Sequence, residues 1–148
     1  ILQGMGKNIV HCGSGGLGQA TKICNNMLAG INALAAAEAM TMGERLGVSP
    51  DILYEVISTS TGRSYIFETS NPMPDVCSTS PANNKFKPGF MAKLMLKDLR
   101  LSQAAAQDAK TSTPLGAAAT AAFQQLIDSG FGDLDTSSII KVIKPESK

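Results

Sequence analysis

The stretch from about Gln19 to Leu46 constrains the fold more than any other part of the chain. It is rich in Ala, Leu, Met and Glu, all strong helix formers, and Gly47 stands just past its end as a C-cap candidate. Ile23, Met27, Ile31, Leu34 and Ala35, then Met42 and Leu46, recur at spacings of three and four, so one stripe can face a core. The many alanines permit close contact with neighbouring helices. The prediction is one long helix near the start of an all-helical bundle.

The rest of the chain supplies its partners. A second helix opens at Ser49-Pro50-Asp51, where Ser49 can accept from an exposed backbone N–H, Pro50 loses nothing at the first helical position and Asp51 complements the dipole. It should end between Ser58 and Gly62. From Asn71 to Gly89 prolines cluster (Pro72, Pro74, Pro81, Pro88) beside Asn83-Asn84, which predicts an ordered excursion of the kind that often lines a site. Helical composition resumes from Phe90 to about Lys110, breaks at Thr113-Pro114, returns from Leu115 to Ser129 and stops at Gly130-Phe131-Gly132, with a last short helix after Asp135. The closing Lys144-Pro145-Glu146-Ser147-Lys148 reads as a frayed tail.

Composition narrows the classes of function. The chain has 148 residues, 43% of them hydrophobic, enough for one sizeable core. Thirteen Lys+Arg against twelve Asp+Glu give a formal net charge of +1, so no broad field recommends the chain to nucleic acid or an anionic membrane. Any recognition of an anion must be local. The three cysteines, Cys12, Cys24 and Cys77, are widely spaced and form no CxxC pair, which argues against a disulfide framework or structural zinc and for a reducing compartment. Every apolar run falls short of the ~18 residues a membrane span needs, and no metal site is expected. Lone His11 has no second ligand near it in sequence and reads as structural.

Ahead of the long helix, Asn8-Ile9-Val10-His11-Cys12 has strand character and runs into Gly13-Ser14-Gly15-Gly16-Leu17-Gly18. The glycines satisfy the GxGxxG string, yet a dinucleotide fingerprint needs a βαβ unit with an acid closing its second strand. Here the acid ~20 residues on is Glu38, inside the helical pattern. A flexible turn is one account of the cluster. Another is a functional loop, because glycines admit close backbone approach and the following first helical turn offers N–H groups to a carboxylate or phosphate.

Lys22 and Asn26 follow, four apart, so both project from one helix face just beyond the glycines. An exposed lysine and a solvated asparagine explain that spacing adequately. An ammonium beside a partly enclosed pocket also suits general acid–base work. Further on, Phe90 with Lys97-Asp98 reads from pattern alone as a core aromatic plus a charged helix surface. Arg63 reads as a cap for the end of the second helix, with a substrate carboxylate as the other possibility.

The run Gly13-x-x-Gly16-x-Gly18-x-x-x-Lys22-x-x-x-Asn26 resembles the active-site signature of the β-hydroxyacid dehydrogenase superfamily, and Gly18-Gln19-Ala20-Thr21-Lys22-Ile23-Cys24-Asn25-Asn26-Met27-Leu28 is similar to its 3-hydroxyisobutyrate dehydrogenases. Gly43-x-x-Leu46-Gly47, Ser60-Thr61-Gly62-Arg63-Ser64, Asn71-Pro72-x-Pro74 and Phe90-x-x-x-Leu94-Met95-x-Lys97-Asp98-Leu99 follow in the order that family shows, over nearly the whole chain. One departure is Asp75, where relatives are expected to carry glycine.

The resemblance implies an NAD-dependent oxidoreductase with Lys22 as general acid/base, Asn26, Phe90 and Asp98 bordering the substrate, and Lys97 on the cofactor. It implies an all-α bundle of about five to seven helices, similar to the carboxy-terminal domain of 6-phosphogluconate dehydrogenase, over residues 19–148. Residues 1–18 would then be the strand remnant and linker of a nucleotide-binding Rossmann domain that otherwise lies outside the chain. It further implies oxidation of 3-hydroxyisobutyrate to methylmalonate semialdehyde in valine breakdown, homo-oligomers, and a mitochondrial matrix location in a eukaryote or a cytoplasmic one otherwise. The 148 residues alone would show little or no turnover. Two alternatives stay open: an NADPH-dependent reductase of glyoxylate or small semialdehydes, and a non-catalytic helical dimerisation module.

Overall fold

A computed structural model describes residues 8–144. Among these, six α-helices follow one another: α1 (Leu17–Arg45), α2 (Pro50–Ser58), α3 (Tyr65–Thr69), α4 (Ala92–Asp108), α5 (Pro114–Asp128) and α6 (Ile140–Ile143). Two 3-10 turns, Pro81–Asn84 and Thr136–Ile139, complete the regular structure. No helix among the described residues is long and apolar enough to cross a membrane.

The central helix begins and ends on glycine conformations. Gly16 takes φ 92 at its N-cap, and Gly47, one residue beyond the C-cap Leu46, takes φ 90, both in the left-handed region open to glycine. Its middle is lined with small side chains for a reason visible across the interface. A Cβ on Gly30 would stand 2.9 Å from Leu99 Cδ2 of α4, and one on Gly43 2.5 Å from Leu53 Cδ1 of α2. Ala33, Ala36, Ala37 and Met40 then bury against Met95, Leu96 and Leu99 of α4, Ala119, Phe123 and Leu126 of α5, and Ile139 and Ile140 near the end of the chain. Met40, Leu99, Phe123 and Leu126 are fully enclosed.

The second helix opens at Ser49-Pro50 as predicted, although the Ser49 side chain makes no capping hydrogen bond. Helix α3 was not legible in the sequence. Its Ser64 hydroxyl accepts from the Phe67 N–H at 3.1 Å, and Phe67 plugs the core. Arg63 does not cap α2; its Nε donates to Glu68 Oε1 at 2.9 Å on α3. The proline-rich excursion is ordered through side chains. Asn71 Nδ2 donates to the Phe67 carbonyl, Ser80 Oγ to the Asn71 carbonyl and Asn83 Nδ2 to the Cys77 carbonyl. Asp75, standing where glycine was expected, takes φ 66, a conformation in which an L side chain is strained, and its N–H donates to Asn83 Oδ1 at 2.7 Å.

One expectation is overturned in front of α1. Residues 8–12 form no strand. Strand hydrogen bonds need a neighbouring strand, and the described residues contain none for this segment to pair with. Ile1 to Lys7, placed in the same expected remnant, and Pro145 to Lys148, read as a frayed tail, lie outside the described residues.

Candidate active site

The first three turns of α1 project beyond the core, and α4 runs beside them. Gln19, Lys22, Ile23 and Asn26 from α1 meet Lys97, Asp98 and Leu101 from α4 around a small cleft of about 50 Å³. Lys22 is exposed at its rim. Asp98 is the link between the helices. Its Oδ2 accepts from Asn26 Nδ2 at 2.7 Å and its Oδ1 pairs with Lys97 Nζ at 3.1 Å. The Asp98 side chain is 14% exposed and that of Lys97 62%, so the carboxylate is held inside while the ammonium reaches out. Asn26 Oδ1 in turn accepts from Asn25 Nδ2 at 3.2 Å. The amide that could bind a ligand is thus oriented from two sides.

Asn26 also lines a second, larger pocket of about 490 Å³ on its other flank. There it meets Phe90, 37% exposed, with Ala29, Tyr65, Thr69, Met95 and Asp135 among the other walls. The sequence-predicted residues therefore fall into two adjoining pockets joined at Asn26. Lys22, Lys97 and Asp98 line the first, and Phe90 lines the second. Tyr65, Thr69 and Asp135 were missed, since α3 gave no periodic signal and Asp135 drew notice only as a helix opener.

Behind the larger pocket, Tyr54 Oη and Cys77 Sγ both donate to the Glu68 carbonyl, each at 2.9 Å. Burial first, then the neighbouring thiol, raises the Tyr54 phenol above its ordinary value. Burial also opposes ionisation of Cys77, but hydrogen bonds with Thr79, Tyr54 and the Ser80 backbone outweigh it and hold the thiol below its ordinary value.

The helix end facing the first cleft carries no acidic side chain in its first turn, and Gly16 makes no side-chain cap. An anionic ligand would find N–H groups and the exposed Lys97 there. These features fit one wall of a site for a nicotinamide dinucleotide; a cleft of about 50 Å³ does not enclose one.

Residues 16–143 match the family described as NAD-binding of NADP-dependent 3-hydroxyisobutyrate dehydrogenase, and the chain belongs to that family. This match corrects the expected fold class further. An NAD-binding family spans the helical residues themselves, so the expectation of a carboxy-terminal helical domain alone, preceded by a strand remnant of a Rossmann domain, does not hold. The physical reason is that the helices pack around one core with no strand pair in front of them among the described residues, so the residues the family model spans are the helical ones themselves.

A mitochondrial 3-hydroxyisobutyrate dehydrogenase of Drosophila melanogaster is 40% identical over 146 residues, covering 99% of this chain and 45% of that protein. An NAD-dependent L-serine dehydrogenase of Pseudomonas aeruginosa is 39% identical over 98% of this chain and 49% of its own length. Among solved structures, the 3-hydroxyisobutyrate dehydrogenase of Mycobacterium tuberculosis with L-serine superposes with a TM-score of 0.91 at 40% identity, over 97% of this chain and 49% of that one. The chain spans about half the length of the relatives it matches.

Proposed function

We propose that this chain forms the Lys22 side of the active site of an NAD-dependent dehydrogenase of small 3-hydroxyacids. The observation that carries the reading is the shared cleft between α1 and α4, where Lys22, Asn26, Lys97 and Asp98 come together from positions more than seventy residues apart in the chain.

NAD, when bound, supplies the acceptor for the hydride leaving the carbinol carbon. Lys22 Nζ takes the hydroxyl proton as a base and returns it as an ammonium in the reverse direction. Asn26, oriented by Asp98, hydrogen-bonds the substrate, and Phe90 forms an apolar wall beside it. Lys97, anchored by Asp98 Oδ1, offers its charge to the cofactor. The other wall of the cleft falls to sequence of the kind its relatives carry beyond the matched half, and the 148 residues alone should turn over little or nothing.

The proposed substrate is 3-hydroxyisobutyrate, which would place the enzyme in valine breakdown, in mitochondria of a eukaryote or the cytoplasm of a bacterium. A second reading, L-serine, is favoured by the name of the Pseudomonas relative and by the L-serine that accompanies the Mycobacterium enzyme in its solved structure. Both are 3-hydroxyacids and differ at the second carbon. The test is steady-state kinetics of the complete encoded polypeptide on both acids with NAD and NADP, for the unmodified protein and Lys22→Ala. Loss of turnover in Lys22→Ala on the order of 10²–10⁴-fold supports the assignment. A variant that keeps the unmodified rate at every pH overturns it.

A further inference from the structure

Among the described residues, Asp135 is the one buried acidic side chain, 3% exposed, and neither the proton transfer nor the cofactor contact proposed above uses it. A buried carboxylate is costly unless its oxygens are satisfied. Both are, and they serve different purposes. Oδ1 accepts from the Ser137 N–H at 2.9 Å and the Ser137 hydroxyl at 2.8 Å, capping the 3-10 turn at Thr136–Ile139. Oδ2 turns the other way and accepts from the N–H groups of Gly89, at 3.0 Å, and Phe90, at 2.9 Å. A cap requires one oxygen; the second holds the backbone on which Phe90 is mounted.

Main-chain bonds on either side make this a clamp. The Asp135 N–H donates to the Phe86 carbonyl at 2.9 Å, the Thr136 N–H to the Phe90 carbonyl at 3.0 Å and the Ala92 N–H to the Leu134 carbonyl at 2.8 Å. Phe90 therefore enters the pocket from a peptide fixed on both faces, with Asn26 among the other walls.

We propose that Asp135 is a positioning residue: through the Gly89 and Phe90 amides it sets where the Phe90 ring stands, and so how well the site accepts the apolar part of a hydroxyacid. The kinetic half of this inference rests on the dehydrogenase reading, whereas the clamp itself does not. Asp135→Asn places an NH₂ against one of two donor sets and so loses one arm. Asp135→Ser keeps a cap oxygen for the turn but is too short to reach Gly89 and Phe90, and serves if the amide variant fails to fold. Ser137→Ala trims only the Oδ1 arm.

The complete polypeptide carrying each change should be measured for hydroxyacid KM, NAD KM and kcat, and by amide hydrogen exchange. Expected for Asp135→Ser is a hydroxyacid KM raised on the order of tenfold with NAD KM held within about twofold; Asp135→Asn, whose NH₂ can face either donor set, should raise KM only if Gly89 and Phe90 lose protection with it. The Gly89 and Phe90 amides should lose protection in Asp135→Ser, and Ser137→Ala should change neither quantity. A folded Asp135→Ser with unmodified hydroxyacid KM overturns the proposal, as does Ser137→Ala raising KM equally. If the unmodified protein turns over no hydroxyacid, the dehydrogenase reading fails instead, and protection at Gly89 and Phe90 then decides the clamp by itself.

Discussion

The two halves of α1 share one helix and almost nothing else. From Leu17 to Asn26 no side chain is fully buried: Lys22 is exposed and Asn26, half-buried, reaches across to Asp98 on α4. From Gly30 to Gly43 it is the axis of the core, its buried positions filled by Gly30, Ala33, Ala36, Ala37, Met40, Thr41 and Gly43. A deeply packed half can therefore fix the direction in which a more exposed half displays its side chains, the arrangement that a site held on regular structure requires. The contrast also shows why the helix as a whole has no single clean apolar face. It packs against α2 to α6 at different points along its length, and a helix surrounded in this way has small residues on several sides.

Substitutions in the two halves should separate display from packing. The largest effect belongs to Lys22→Ala, which should lower turnover of the complete polypeptide on the order of 10²–10⁴-fold while leaving the thermal midpoint where it was. A drop in midpoint instead would mean that the projecting half carries stability after all. Met40→Ala, in the packed half, should cost about 2–5 kcal/mol in chemical denaturation, because Met40 is fully enclosed and its removal leaves a cavity. Gly30→Val should cost about 1–3 kcal/mol by overpacking, as even a Cβ there comes within 2.9 Å of Leu99 Cδ2, and Leu99 is itself fully buried. The smallest change is Thr21→Ala beside Lys22. Its hydroxyl donates to the Leu17 carbonyl on an exposed turn, and stability should move by no more than about 0.5 kcal/mol. Equal costs for Thr21→Ala and Gly30→Val would erase the proposed division of the helix.

What could be read from the residues follows the range of the interactions involved. Lys22 and Asn26 share a face because they lie four apart on a helix whose composition announces it, and their pairing needs no tertiary knowledge. Their meeting with Lys97 and Asp98 depends on α4 packing against α1, and only family resemblance pointed to it beforehand. Phe90 was expected to border the substrate, and it lines the larger pocket that adjoins the first at Asn26. Tyr65 escaped notice because α3 is five residues long, too short for periodicity to register. The strand expected before the glycines shows the opposite failure, since β character without a partner strand commits the backbone to nothing.

The sequence by itself determined the long helix, the breaks at Gly47, Pro114 and Gly130, and the placing of an ammonium and an amide on one face near the helix start. These are decided by intrinsic helix preference, by the missing N–H of proline and by the left-handed backbone of glycine, all acting over a few residues. Tertiary structure decided that Asp98 bridges Asn26 to Lys97, that Asp135 reaches back to the peptide under Phe90, and that two pockets meet at one asparagine. Each of these contacts joins distant residues through packed helices. Their geometry is set by the volumes of the side chains between them, such as Leu99 against the bare backbone of Gly30, which no local pattern encodes.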